Sequence, residues 1–314
     1  NLETDITSLN LPFNFHFSKQ QSSNQKHNEI LLAPPDAFIK NADLLRKVRW
    51  NHKVSIQKVS LKDSSSFHDI KLVADLANNN LRVAGDVKHI FNGSVAFSEV
   101  SIPLTKPDPI ITYKLNSSNI SFSPLVESVM PEYKELIDGV ANLEVTGQTK
   151  MPGTLNFKKD LVAKGQFRIP ESKIYMLKLI DEIKQKFAPG KAPNIAINNL
   201  SASTEAEFDI KDSRIALINF TAKAPNNDEI ELNGLVGFDL ESKISALLKL
   251  VSIPVHGDFL AANQNSTGQL EIPIIIEGNL KQPKWSFAGN TFDKMTQNFI
   301  DYQKNKVKLL ADRK

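Results

Sequence analysis

The sequence contains no cysteine among its 314 residues. This absence excludes disulfide bonds, thiolate-bound metals and cysteine nucleophiles in the chain. Apolar runs are short as well, and none approaches the roughly 18 residues that a membrane-spanning helix needs. Charge of one sign is also scarce, because 38 Lys and Arg residues face 35 Asp and Glu residues and leave a formal net charge of only +3. So balanced a surface makes nucleic acid an unfavourable partner, and we predict none.

Motifs that carry catalysis or metal binding are missing too. The six histidines form no His-x-x-x-His pair, and no Gly-x-Ser-x-Gly elbow is present. The loop at 188–192 lacks the second glycine and the hydroxyl residue of a phosphate-binding loop. Glu205 and Glu207 alternate with apolar residues, so we expect them to face solvent. We therefore predict that the chain is not an enzyme and has no catalytic residue, no metal site and no cofactor.

What the sequence does contain is a long succession of alternating polar and apolar residues. Between Ala202 and Ile276 the apolar residues fall mostly on even-numbered positions, and polar turns such as 211–213 separate the runs. Residues 70–97 alternate less cleanly, with turns at 78–80 and 92–93. A period of two over so many runs is typical of antiparallel strands with one apolar face. The pattern predicts a mainly β fold, which opens with a strand over residues 2–17.

Helical patterns are few and short. They lie at 123–129, where Ser123 precedes Pro124 as a favourable helix start, at 133–139, at 176–187, and from Thr291 onward. The last of these has an apolar stripe at helical spacing, followed by basic residues. The stripe consists of Phe292, Met295, Phe299 and Tyr302.

The basic tail permits two interpretations. A terminal helix could pack its aromatic side chains against the end of the sheet and protect it, as open sheets require. Alternatively, a helix that carries Lys304, Lys306 and Lys308 beside an apolar stripe could rest on anionic lipid headgroups. The shortness of the stripe favours the first interpretation.

Three segments in a fixed order resemble a known family. They are NISFSPLV at 119–126 with LIDGVANL at 136–143, LVAKGQFRI at 161–169, and LEIPIIIEGNLKQPKW at 270–285. Together they resemble the C-terminal domain of the AsmA-like family, large bacterial envelope proteins that include TamB-type relatives. The third segment is similar to the closing signature I-P-(V/I)-x-(I/V)-x-G-x-L-x-x-P. The resemblance covers about residues 119–287, and residues 40–105 resemble a degenerate version of the same unit.

The resemblance implies a fold and a cellular context. It implies a long curved antiparallel sheet, a β-groove or β-taco, whose apolar inner face is open along one side, with a few short amphipathic helices. The implied organisation is a β-rich part at 1–118, the groove at 119–288 and a C-terminal helix at 289–314. It further implies a periplasmic location. The chain starts at Asn1 without Met, as it would after removal of a tag or signal or as the soluble part of a longer, anchored protein. The resemblance favours the second interpretation and implies an inner-membrane anchor outside this chain.

The apolar face needs a cover, and two covers are possible. A second sheet or the short helices would make an ordinary sandwich core, which alternation alone favours. An acyl chain would make a lipid groove, which the resemblance favours. The predicted groove floor consists of Phe208, Ile210, Ile218, Phe220, Ile230, Leu232, Val236, Phe238, Leu248, Leu250, Ile272, Ile274 and Ile276.

The function implied by the resemblance is therefore non-enzymatic. The chain would bind or conduct phospholipid or another acyl-chain lipid between the inner and outer membranes, in the service of outer-membrane biogenesis. The C-terminal helix would add contact with a membrane surface under the second interpretation above. The alternative is a scaffold or chaperone-like module that assists outer-membrane protein assembly through an exposed sheet edge.

Overall fold

The computed structural model describes residues 2–6, 9–10, 49–60, 66–104, 109–129, 136–150, 160–174, 201–225, 227–251 and 257–311. Within these ranges the chain is mainly β, as predicted. The strands are β1 Leu2–Ile6, β2 Leu9–Asn10, β3 Trp50–Ser60, β4 Ser66–Ala77, β5 Asn80–Ile90, β6 Gly93–Pro103, β7 Ile110–Ser121, β8 Ile137–Lys150, β9 Val162–Ile174, β10 Ser201–Lys211, β11 Arg214–Lys223, β12 Glu229–Gly237, β13 Glu241–Leu250, β14 Leu270–Asn279 and β15 Lys284–Phe287. The helices are α1 Phe122–Val129, α2 Gly257–Asn263 and α3 Thr291–Ala311.

The strands form one long hydrogen-bonded sheet in which neighbours in sequence are almost always neighbours in space. The order is β1-β3 and then β4 to β15 consecutively, and β2 also pairs with β3. Within the described ranges the first and last strands of this order do not pair with each other, so the sheet is not closed. The sheet is mixed rather than antiparallel throughout, because β1 and β2 lie parallel to β3.

Tight hairpins connect several of these strands. The turns at Asn78–Asn79, Phe91–Asn92 and Asp212–Ser213 each hold two consecutive residues at positive φ, between 47° and 64°. Such turns match the right-handed twist of antiparallel strands, and Asn and Asp tolerate this conformation better than other side chains. All three lie at or within one residue of turns that the sequence predicts.

Two local expectations from the sequence are wrong, and a third concerns residues outside the described ranges. The helical piece expected at 133–139 is contradicted at its end, because Ile137 already begins β8. The single strand expected over residues 2–17 is instead two short strands within its described part, Leu2–Ile6 and Leu9–Asn10. The helix expected at 176–187 lies outside the described residues.

By packing, the chain divides into two compact units. The first unit contains Asn1–Ile169 and Glu207–Ile215, and the second contains Pro170–Ala206 and Ala216–Lys314. The boundaries predicted at 118 and 288 remain predictions of domain organisation.

The second unit contains the most completely buried apolar layer in the described chain. Strand register aligns Ile230, Leu248 and Ile272 in one row across β12, β13 and β14. Leu232, Ala246 and Ile274 form the next row. These side chains are buried, whereas the residues between them along each strand are mainly polar and more exposed. This layer is a packed core of the kind that alternation predicts.

Helix α3 packs on α2 within the second unit. The rings of Phe259 and Phe299 have centroids 5.6 Å apart, and Lys306 Nζ lies 2.9 Å from Asp258 Oδ1. Met295, only 6% exposed, is buried in the apolar stripe of α3. The predicted C-terminal helix is thus confirmed, and its apolar stripe has protein partners.

Candidate functional site

The first unit has a second apolar layer, which lies on one face of strands β3 to β8. One row across this face begins with Val54, Leu72 and Gly85 and continues through Phe97 and Leu115 to Val145. We call this layer the apolar face. It consists of Val54, Ile56, Ile70, Leu72, Ala74, Val83, Val87, Val95, Phe97, Val100, Tyr113, Leu115, Leu143 and Val145.

Most side chains of the apolar face are only half-buried. Ile56, Ile70 and Val87 are buried and form a small cluster at one end. The other members keep part of their surface exposed, including Leu115 and Val145, which lie directly opposite each other. Polar residues such as Lys114, Glu144 and Thr146 occupy the opposite face of the same strands and are exposed. The first unit therefore presents a continuous apolar surface that protein atoms cover incompletely.

Aromatic rings lie close over glycines on this side of the sheet. A Cβ atom placed on Gly147 would sit 2.6 Å from the hydroxyl oxygen of Tyr113, and one on Gly165 would sit 2.7 Å from the ring of Phe208. Each glycine thus leaves room for a ring to lie flat across the neighbouring strand, which widens the apolar surface. Burial raises the pKa of Tyr113 to about 12, because the apolar environment disfavours the phenolate.

A short row of aromatic side chains extends the apolar surface across β9 and β10. The ring centroids of Phe122 and Phe167 are 5.5 Å apart, and those of Phe167 and Phe208 are 6.5 Å apart. All three residues belong to the first unit, and Phe122 is the first residue of α1. One end of the aromatic row therefore lies at this helix, and the other lies on β10.

The structure places most of the predicted groove floor in the closed core of the second unit. Phe208 and Ile210 are half-buried and belong to the first unit. Most of the others are 5% exposed or less, which leaves no surface for a lipid without displacement of their neighbours. The buried floor residues are Phe220, Ile230, Leu232, Val236, Leu248, Leu250, Ile272, Ile274 and Ile276. Their role in lipid binding remains a prediction.

Two further floor residues, besides Phe208 and Ile210, do not have the predicted burial. Ile218 is 38% exposed, because Asn219 adopts φ of 50° and interrupts the alternation, so that two successive residues face outward before Phe220 turns in. An inserted residue of this kind shifts the parity of a strand by one. Phe238 lies in the turn after β12 and is half-buried, while Leu240 takes the buried position with 3% exposed.

The sequence did not predict that the half-buried residues of the apolar face would form a candidate site. The alternation at 70–97 was visible, and it predicted strands. Alternation alone does not distinguish a covered apolar face from an open one, because both need apolar residues at every second position. The burial pattern supplies that distinction.

Within the described ranges no group of three or more His, Asp or Glu side chains is arranged to hold a metal ion. No helix in the described part of the chain is long and apolar enough to cross a membrane. Neither a family model, nor a curated protein, nor a solved structure matches the chain.

Proposed function

We propose that this chain is a non-enzymatic lipid-binding and lipid-conducting module of a Gram-negative cell-envelope protein. It would act in the periplasm, in phospholipid transport between the inner and outer membranes and in outer-membrane biogenesis. The cargo would lie along the apolar face of the first unit. The resemblance of residues 119–287 to the AsmA-like family supports the choice of cellular process.

One observation supports the proposal most directly: the apolar face is continuous over six strands and only half-covered. An ordinary core would bury such side chains fully, as β12, β13 and β14 bury theirs in the second unit. A continuous, partly exposed apolar surface of this kind, which includes Phe97, Leu115, Leu143 and Val145, is typical of a site that another apolar molecule covers.

Acyl chains suit such a surface energetically. Each buried methylene contributes roughly 0.8 kcal/mol, so a chain of about sixteen carbons gains on the order of 10 kcal/mol on leaving water. An apolar face with no dedicated polar anchor would hold many acyl chains about equally well. Low selectivity among acyl chains suits a surface along which lipids pass better than a site that stores one particular lipid.

The test is the lipid content of the purified chain. A double substitution, Leu115→Glu with Val145→Glu, places two carboxylates at a directly paired position of the apolar face. An unpaired carboxylate in an apolar environment costs several kcal/mol, so we expect bound lipid to fall about tenfold or more. Lipid is extracted from the folded protein and quantified by mass spectrometry, with circular dichroism as the check on folding.

The matched control is Thr112→Glu with Thr146→Glu. These exposed residues lie on the same two strands and point to the opposite face. The control should keep its lipid. A native chain without bound lipid, or equal loss in the two variants, would contradict the proposal and favour the scaffold or chaperone-like alternative.

A further inference from the structure

The outer face of the first unit, opposite the apolar face, carries a line of hydrogen-bond donors. Strand register pairs Lys58 with His68, His68 with Lys88, Lys88 with Ser94 and Ser94 with Ser118. Residues paired across a ladder share a face of the sheet. Lys88, Ser94 and Ser118 each adjoin in sequence a residue whose side chain is on the apolar side, so their own side chains point outward. We call these five residues the donor row.

A β-bulge brings His68 into the donor row. Asp69 has φ of 51°, and the pairing of β4 with β5 shifts between His68 and Ile70. Without the extra residue, the period of two would place His68 on the same face as Ile70. A second irregularity at His89, with φ of 54°, brings its ring centroid to 6.5 Å from that of His68. The two bulges therefore gather imidazoles beside the lysines.

The charge of this surface favours anions. Lys58 and Lys88 are exposed, and so is Asp69, whose Oδ2 lies 3.6 Å from Nε2 of His89. The next row of the same face pairs Asp86 with Lys71, so the lysines of these two rows outnumber the carboxylates by three to two. At the usual strand spacing, five side chains in line span roughly 19 Å. This length exceeds a single phosphate group and suits a surface that presents several phosphates side by side.

We propose that the donor row docks the first unit on the phosphates of anionic phospholipid headgroups. Ammonium, imidazole and hydroxyl groups all donate to phosphate oxygens, and lysines near an anionic surface strengthen attachment to it. This inference rests on the proposed function, because lipid cargo on one face of the sheet is what selects a lipid surface, rather than another phosphate compound, for the other. Docking by the outer face leaves the apolar face uncovered for cargo.

Vesicle flotation tests the docking. The probes are vesicles of phosphatidylcholine with and without phosphatidylglycerol, at low ionic strength. We expect the native chain to float with the anionic vesicles only. The variant Lys58→Gln with Lys88→Gln should lower affinity about tenfold or more, since it removes two basic residues from the contact. The control Lys243→Gln with Lys281→Gln removes the same charge from exposed positions of the second unit, and should change affinity little.

The second variant, Ser94→Ala with Ser118→Ala, changes no charge. It tests the donor row independently if the lysine variant fails to fold. It should weaken flotation less than the lysine variant does. Equal loss in the control lysine variant, or a native chain that does not float, overturns the inference. Binding of inorganic phosphate to the native chain without flotation also overturns it, since the ligand would then be a free phosphate.

Failure of the docking and failure of the proposed function are distinguishable. The variant Lys58→Gln with Lys88→Gln should retain the extracted lipid of the native chain while it loses flotation. If native protein carries lipid but does not float, the donor row is wrong and the cargo face stands. If native protein carries no lipid, the proposed function itself fails.

Discussion

The backbone N–H of Asn119 donates a hydrogen bond of 3.0 Å to Oδ1 of Asn142 on the next strand. Asn219 donates in the same way to Asn233, at 2.9 Å. Both donors have positive φ, 55° and 50°, and in each case the next residue is buried while the preceding one is exposed. The same arrangement therefore occurs in each unit. At an irregularity in one strand, a backbone N–H that has lost its ladder partner donates to the side-chain oxygen of an asparagine on the neighbouring strand.

Loss of the accepting side chain should destabilise the sheet. We expect Asn142→Ala to lower the free energy of unfolding by about 1 kcal/mol, the usual net worth of one such hydrogen bond. Urea denaturation measures it. The control is Gln148→Ala, an exposed position on the outer face of the same strand, which should change stability little. Equal stability of the two variants would show that the hydrogen bond contributes nothing.

The break at Asn219 makes two neighbouring positions respond oppositely to charge. Ile218→Glu should leave stability nearly unchanged, since the side chain already reaches solvent. Phe220→Glu should cost about 3 kcal/mol or more, because it removes a ring that is 5% exposed and buries a carboxylate. Thermal unfolding of the two variants measures the difference. Similar melting temperatures would mean that the strand keeps an unbroken alternation.

A charge in the second unit's core should act through folding rather than through lipid passage. Leu232 is 4% exposed, so Leu232→Glu is expected to lower the melting temperature strongly and to reduce native β-sheet circular dichroism. The matched control is Leu235→Glu on the same strand, where the side chain is exposed. A Leu232→Glu variant that stays folded and loses only its lipid would place the cargo in the second unit instead.

Tyr113 should titrate late. Its pKa is raised to about 12 by burial, whereas an ordinary tyrosine titrates near 10. The folded state therefore keeps a proton that the unfolded state releases, and the contribution to stability is fully present below pH 10 and is lost as pH rises from 10 towards 12. Tyrosinate absorbance should include a late step that is absent in Tyr113→Phe. A native titration curve without such a step would contradict this environment.

The C-terminal helix should act as a packing element. A chain ending at Gly289 lacks Met295 and the contact of Phe299 with Phe259, and we expect its free energy of unfolding to fall by about 3 kcal/mol. Binding to anionic vesicles should persist if the donor row provides the membrane contact. Loss of vesicle binding with unchanged stability would instead support the membrane interpretation of the basic tail.

The sequence by itself determined the fold class and the position of much of the core. Alternation at 202–276 needs no tertiary information, because a strand that buries one face must place apolar residues at every second position. Leu248, Ile272 and Ile274 are buried as that rule requires. Turn residues such as Asn79 and Asp212 were also visible, since few other side chains tolerate positive φ.

Only the tertiary structure decided which apolar face is covered and where alternation breaks. Leu115 and Leu248 occupy the same kind of position in their strands, yet one is half-buried and the other completely buried. Their exposure depends on what packs above the sheet, which local pattern does not encode. The outward turn of Ile218 depends on a single backbone angle at Asn219, whose backbone N–H donates a hydrogen bond to Oδ1 of Asn233 on the neighbouring strand.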